Sequence, residues 1–268
     1  MRCATARADT APHVQRMEAR SPVSLLVCAA TGPELAGLVP GFVPEEFTAS
    51  AAKNWPEMTL WPLRLKCGPA LCCTTGVGPV NAALAMGLVL ARAAAEGTRI
   101  TAVLNSGLAG AFDLAQHPLL SLCHVREEIW PEYGLHDGRS VTAEAFGFPQ
   151  WQPPQGPAVR NRIQLAGLEA LTALGANPQD PAFLPCTSLT VAGVSASFAR
   201  ASDLRARYAA GLENMEGFAV AYACARMGIP CVGIRSVSNK VGPRAQDEKD
   251  FPGALAALTR VLPALNLI

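Results

Sequence analysis

Residues 213–239, reading ENMEGFAVAYACARMGIPCVGIRSVSN, restrict the possible folds more than any other part of the chain. They divide into a carboxylate-bearing start, a helix, a stop and a strand. Residues 218–227 are too long and too rich in Ala for a strand, and Gly228 with Pro230 ends the helix that this pattern predicts from Glu216 onward. Residues 231–238 form a short, largely apolar run, the signature of a strand buried on both faces in a parallel sheet. Asn239 stands where that strand is expected to end. Ligands of open α/β sheets bind beyond the carboxyl ends of the strands, so Glu216 and Asn239 are placed to face one site.

The same alternation recurs along the chain. An apolar strand over 23–30 turns through Thr31, Gly32 and Pro33 into a helix with Glu34 in its first turn. Strands follow over 59–65 and 70–75, joined by a turn at Gly68 and Pro69. The segment Thr75-Gly-Val-Gly-Pro-Val-Asn81 then leads into an Ala- and Leu-rich helix to about residue 96. A strand over 100–105 runs into the small-residue segment from Ser106 to Gly110. Residues 184–192 have strand character, 198–210 helical character, and 253–262 form a closing helix stopped by Pro263. Residues 130–157 shift to Pro, Gly, Gln and aromatics without a period, which predicts an insertion able to cover a site as a lid.

With 268 residues the chain fits one large α/β domain, here expected over 22–268. Residues 1–21 carry four Arg and no apolar core, so they are neither a secretory signal nor a membrane span but an expected disordered extension, with Met1 or Met17 as the start. The net charge of +1 gives no general electrostatic reason to bind nucleic acid or membrane. Hydrophobic residues at 50% against 16% charged ones suit a sizeable core and a homo-oligomer, a dimer or tetramer, that covers apolar surface. Nine cysteines without a C-x-x-C pair read as buried thiols of a cytoplasmic protein. His13, His117, His124 and His136 have no ligand spacing, so neither a metal nor a cofactor is expected. Gly76 and Gly78 do not make a dinucleotide fingerprint, because the third glycine position is Asn81 and the next acid, Glu96, ends the helix.

The MEG-x-A segment followed by R-S-V-S-N-x-V-G-P-R resembles the nucleoside phosphorylase and nucleosidase family, and among its branches most closely the one that hydrolyses futalosine. In the branch that cleaves methylthioadenosine and S-adenosylhomocysteine, Asp usually stands where this chain has Asn239. The resemblance extends, more weakly, over 23–267. It implies a three-layer α/β fold with a central mixed twisted sheet flanked by helices, and a purine nucleoside as substrate. Cleaving an N-glycosidic bond builds positive charge on the ribose, so the chemistry needs a carboxylate near the sugar, an activated water and a contact to the departing base. By resemblance, Glu216 would hold the ribose hydroxyls and oppose the developing charge, with Met215 packing on the sugar. Glu34 would orient or deprotonate the water, and Asn239 would bind the purine edge. Thr31, Gly76, Gly78, Ser106 and Gly107 complete the expected substrate-binding set.

Each of these residues also has a plainer reading. Glu34 is favoured in a first helical turn by the helix dipole, and Glu216 or Asn239 can serve as a cap or turn residue. Phe198 can stack on the base or be an ordinary core aromatic. Arg235, in the middle of an apolar strand, is expected to pair with a carboxylate. Cleavage of methylthioadenosine or S-adenosylhomocysteine is one alternative reaction, and two other functions fit the same fold. One is a phosphorylase, in which the Gly76–Asn81 loop and a cation such as Arg126 hold phosphate. The other is a nucleoside-binding protein without turnover.

Overall fold

Parallel pairing at the centre of the sheet brings the candidate residues to one edge. In the computed structural model, which describes residues 23–41, 56–66, 68–138, 140–178, 182–243 and 248–268, β1 (Val23–Ala29) lies between β3 (Gly68–Thr74) and β4 (Arg99–Ala111), parallel to both. β11 (Cys231–Lys240) continues in the same direction on the far side of β4. β2 (Trp61–Leu65) closes the other edge, antiparallel to β3.

Beyond β11 the sheet curls. β5 (Leu122–Ile129) pairs antiparallel with β11, β9 (Leu184–Thr190) parallel with β5, and β10 (Leu212–Asn214) parallel with β9. β10 also returns to β4, Leu212 against Ala111 and Glu213 against Gly110, so five strands form a closed ring. The short β8 (Arg162–Gln164) joins β5. The sheet is therefore mixed and flanked by helices, as expected, with one half open and the other barrel-like.

Side-chain alternation along β1 builds two cores. Leu25, Val27 and Ala29 face α1 (Gly32–Leu38) and the closing helices α5 (Phe251–Ala257) and α6 (Val261–Ala264). Leu26 and Cys28 face α2 (Pro79–Ala95) and α4 (Gly217–Arg226). α3 (Phe198–Tyr208) covers the closed half. No helix among the described residues is long and apolar enough to cross a membrane. The seven cysteines among them are free and buried.

The structure departs from the sequence reading in several places. β4 runs straight through 106–110 instead of stopping at 105, because the small residues let neighbours lie directly on an extended backbone. A Cβ on Gly107 would stand 2.7 Å from Glu34 Oε1. β11 likewise continues past Asn239 to Lys240. Leu122–Ile129 is a strand despite Arg126, Glu127 and Glu128, because Glu127 serves the edge partners Arg162 and Gln164 while Glu128 is buried inside the ring. Pro263 does not stop the last helix but lies within α6, after a 3₁₀ turn over Leu258–Arg260. Residues 130–157 hold a small hairpin, β6 (Leu135–His136) with β7 (Val141–Thr142). They pack outside α4, with Trp130 5.9 Å from Phe218 and Trp151 6.4 Å from Tyr222 between ring centres. The expected extension over 1–21 lies outside the described residues.

Candidate active site

A cavity of about 320 Å³ opens where β1, β4, β10 and β11 end, within the range of small-molecule sites. Glu34, Glu216, Asn239, Thr31 and Met215 all line it. None of the described residues of 130–157 does, so that segment is not a lid over this cavity.

Glu34 is fixed from both sides. Thr31 caps α1 by accepting the Glu34 N–H, and Glu34 Oε2 accepts in return from the Thr31 N–H at 2.9 Å and hydroxyl at 2.7 Å. Its Oε1 accepts the Leu108 N–H at 2.9 Å. The helix-start reading and the site reading thus hold for the same carboxylate, which is 8% exposed.

Glu216 is the N-cap residue of α4, but its side chain reaches outward, and Oε1 accepts the Gly78 N–H at 2.9 Å. Gly78 has φ +93° at the start of α2, a conformation open to glycine. An amide available for a phosphate cradle is therefore occupied by a carboxylate. Burial pushes the Glu216 carboxyl above its ordinary value, and the nearby Glu34 charge adds to this; the Gly78 N–H and the Arg235 charge oppose it.

Asn239 lies opposite Gly110 just past a register shift in β11. Its Nδ2 donates to the Lys240 carbonyl at 2.8 Å, and its Oδ1 accepts from the Ser238 hydroxyl at 3.0 Å. These contacts fix which end of the amide points where.

The remaining expected residues are dispersed. Gly107 backs directly onto Glu34, whereas Ser106 is buried beside it with an unpartnered hydroxyl. Gly76 makes the turn before α2. Phe198 is 66% exposed at the start of α3, neither lining the cavity nor joining a core. Arg126 lines a separate groove with His117 and Arg205. Arg235 is buried but hydrogen-bonds through Nη1 to the carbonyls of Asn105 and Ile234, at 3.1 and 3.2 Å, instead of a carboxylate; its Nε has no partner.

The sequence reading missed Glu213, Leu108 and Val194. Glu213 lines the cavity and holds the adjoining loop, accepting the Ser195 N–H at 2.8 Å and hydroxyl at 2.6 Å. Its place three residues before Glu216 was the available signal. Leu108 acts through its backbone amide and Val194 by loop position, so neither left one. Glu34, Glu213 and Glu216 put three carboxylates on the cavity, and no Lys, Arg or His lines it among the described residues. Such a surface favours cationic charge developing on a bound group and disfavours an anionic co-substrate.

The family model described as the phosphorylase superfamily matches residues 27–265. A futalosine hydrolase of Streptomyces coelicolor is 37% identical over 188 residues, 69% of this chain and 73% of its own length. A futalosine hydrolase of Thermus thermophilus is 33% identical over 196 residues, 71% of this chain and 78% of its own length. The solved structure of a 5'-methylthioadenosine/S-adenosylhomocysteine nucleosidase from Helicobacter pylori superposes with TM-score 0.67 at 21% identity, over 90% of this chain and 97% of that one. This last likeness is one of fold.

Proposed function

Because the chain belongs to the phosphorylase superfamily, we propose that it is a nucleosidase which hydrolyses the N-glycosidic bond of futalosine, releasing hypoxanthine and dehypoxanthine futalosine in menaquinone biosynthesis. The observation that carries this reading is the cavity with three carboxylates and no cation among its described lining residues. Water suits such a site as nucleophile; phosphate does not.

In this reaction the bond between the ribose C1′ and the base nitrogen breaks, and its electron pair leaves with the base. Glu216 faces the sugar and stabilises the oxocarbenium charge, with its carboxylate aimed by the Gly78 N–H. Water then adds to C1′ and gives its proton to Glu34, which Thr31 and the Leu108 amide hold in place and which returns it to solvent, while the departing base takes up a proton from solvent to leave as hypoxanthine. Gly107 lets Glu34 approach the strand, and Met215 packs on the sugar. Asn239 binds the purine edge by hydrogen bonding. Gly76 shapes the turn that presents Gly78, and Ser106 aligns the strand end; Phe198 has no role in this scheme. The protein works in the cytoplasm as a homo-oligomer, with its fold contained in residues 22–268.

A product assay on futalosine, inosine and methylthioadenosine in phosphate-free buffer tests the proposal. Hypoxanthine should be released from futalosine, and added phosphate should not raise the rate. A rate that requires phosphate would identify a phosphorylase, and tight binding without base release would identify a binding protein.

A further inference from the structure

Inside the ring of β4, β11, β5, β9 and β10 lies a polar cluster that the mechanism above does not use. Glu128, on β5, is fully enclosed there. Its Oε1 and Oε2 accept from Asn214 Nδ2 at 2.9 and 3.1 Å, and Oε2 also accepts the Thr190 hydroxyl at 2.8 Å. Both partners turn their other side toward the start of α4. Asn214 Oδ1 accepts the N–H groups of Glu216 at 2.9 Å and Gly217 at 2.7 Å. Thr190 Oγ1 accepts the Phe218 N–H at 2.7 Å. The first backbone donors of α4 are thereby satisfied without a cap from Glu216 itself, whose side chain is left to serve the cavity. A Cβ on Gly217 would lie 1.9 Å from Glu128 Oε1, so the carboxylate sits directly beneath this turn.

We propose that Glu128 is a positioning residue for the nucleosidase reaction, acting through Asn214 and Thr190 to fix the backbone at Glu216 and hence the aim of its carboxylate. An ionised carboxylate only accepts hydrogen bonds. It therefore holds the Asn214 amide with its nitrogen inward and its oxygen toward α4, and it orients the Thr190 hydroxyl so that its oxygen faces the Phe218 N–H. A Gln in its place has one acceptor oxygen. If that oxygen serves Asn214, its amide nitrogen meets Thr190 and the hydroxyl proton loses its acceptor. If it serves Thr190, two amide nitrogens face each other and Asn214 is pushed off its place, keeping only Ser188 Oγ at 2.7 Å and the Leu189 carbonyl at 3.2 Å as acceptors.

Other charged or titratable groups act on Glu128: Arg235 from β11, Cys186 from β9 and Glu216 at the start of α4. Burial pushes the Glu128 carboxyl up to about 7, with Arg235, Thr190 and Asn214 opposing the rise. A carboxyl raised in the folded state gains a proton there before it does in the unfolded chain. Ionised Glu128 thus costs stability as pH rises from about 4.5 toward 7. At pH 8 the ionised form is the less stabilising of its two protonation states, so the activity of a variant without the charge is read together with its melting temperature.

The inference rests on the nucleosidase reading, and the test separates the two. Wild type, Glu128→Gln and Thr190→Val are assayed on futalosine at pH 8, alongside melting temperature and amide hydrogen exchange of the peptide covering residues 213–220. For Glu128→Gln the expected result is a fall in kcat of about tenfold with KM changed less than about twofold. Its melting temperature should stay within a few degrees of wild type, because the buried hydrogen bonds that are lost are offset by the buried charge that is removed, and exchange at the Glu216, Gly217 and Phe218 amides should be faster. Thr190→Val, which removes one arm of the relay, should lower kcat by about threefold, and this holds the inference open to test if Glu128→Gln does not fold. A folded Glu128→Gln with wild-type kcat and unchanged exchange overturns the inference, as does a folded Thr190→Val with both unchanged. A wild-type protein that releases no base from futalosine overturns the nucleosidase reading instead, while the exchange data still report whether Glu128 holds the turn.

Discussion

Glu216 combines two demands in one residue: its backbone begins α4 and its side chain serves the cavity. Glu216→Gln keeps the size and the ability to accept the Gly78 N–H but removes the charge that opposes the oxocarbenium. We expect kcat to fall on the order of a hundredfold or more with little change in melting temperature. Retention of most activity by this variant would exclude the assigned role. Because the Glu216 carboxyl is raised by burial and by Glu34, wild-type kcat should decline as pH falls while still above the ordinary carboxylate range. Asn239 sets a second residue-scale expectation. An Asp here can, once protonated, pass a proton to a departing 6-aminopurine, whereas an amide can only hydrogen-bond, which suits a 6-oxopurine. Wild type should prefer futalosine to its 6-amino analogue, and Asn239→Asp should narrow or reverse that preference. Measuring kcat/KM for both substrates on both proteins decides it; equal use by wild type with no change on substitution would remove the role of Asn239.

At the scale of elements, the closeness of α1 to β4 decides whether Glu34 is held for catalysis. Gly107→Ala puts a Cβ 2.7 Å from Glu34 Oε1, and the carboxylate must leave the Leu108 N–H to make room. A loss of about tenfold in kcat with KM little changed is expected, since the base loses alignment more than the substrate loses contacts. Steady-state kinetics on a variant shown to be folded would check this. The same element shows what sequence can reveal. The strands and helices from β1 to α2, and α4 with β11, follow apolar runs and stops at Gly and Pro, and these place Glu34, Glu216 and Asn239 at one sheet edge. The extension of β4 through Gly107 and Gly110 was hidden, because small residues carry little strand preference and their value lies in what approaches them from elsewhere. β10 is three residues long and leaves no periodic signal, yet it closes the ring. β5 was obscured by Glu127 and Glu128, whose partners lie some 35 to 86 residues away in the chain and so cannot be read locally. Arg235 was expected to pair with a carboxylate; its charge does act on Glu128 and Glu216, but its hydrogen bonds go to the carbonyls of Asn105 and Ile234.

At the scale of the whole molecule, half the residues are hydrophobic and only 16% charged, and the cores among the described residues do not enclose all of that apolar surface. On α2, Val80, Leu84 and Leu88 recur every four residues and are 79%, 53% and 51% exposed. Ala83, Gly87 and Ala91 are exposed between and beside them, giving one small-and-apolar face along the helix. From Val80 to Ala91, at about 1.5 Å per residue, the stripe is roughly 17 Å long. A stable interface needs roughly 800 Å² on each partner, so the stripe would be the centre of a larger contact. Its lower end meets the active site, because Val77 lines the cavity and the Gly78 amide at the start of α2 holds Glu216. We propose that a second copy of the chain covers this face and steadies the start of α2. Wild type should therefore sediment as a dimer or tetramer at micromolar concentration. Leu84→Glu combined with Leu88→Glu places two charges at the centre of the stripe and should give a folded monomer. Its kcat should fall by severalfold as the Gly78 amide loses support. Sedimentation of the wild type as a stable monomer would remove the oligomer from the proposal, and an unchanged assembly in the double variant would move the interface to another face.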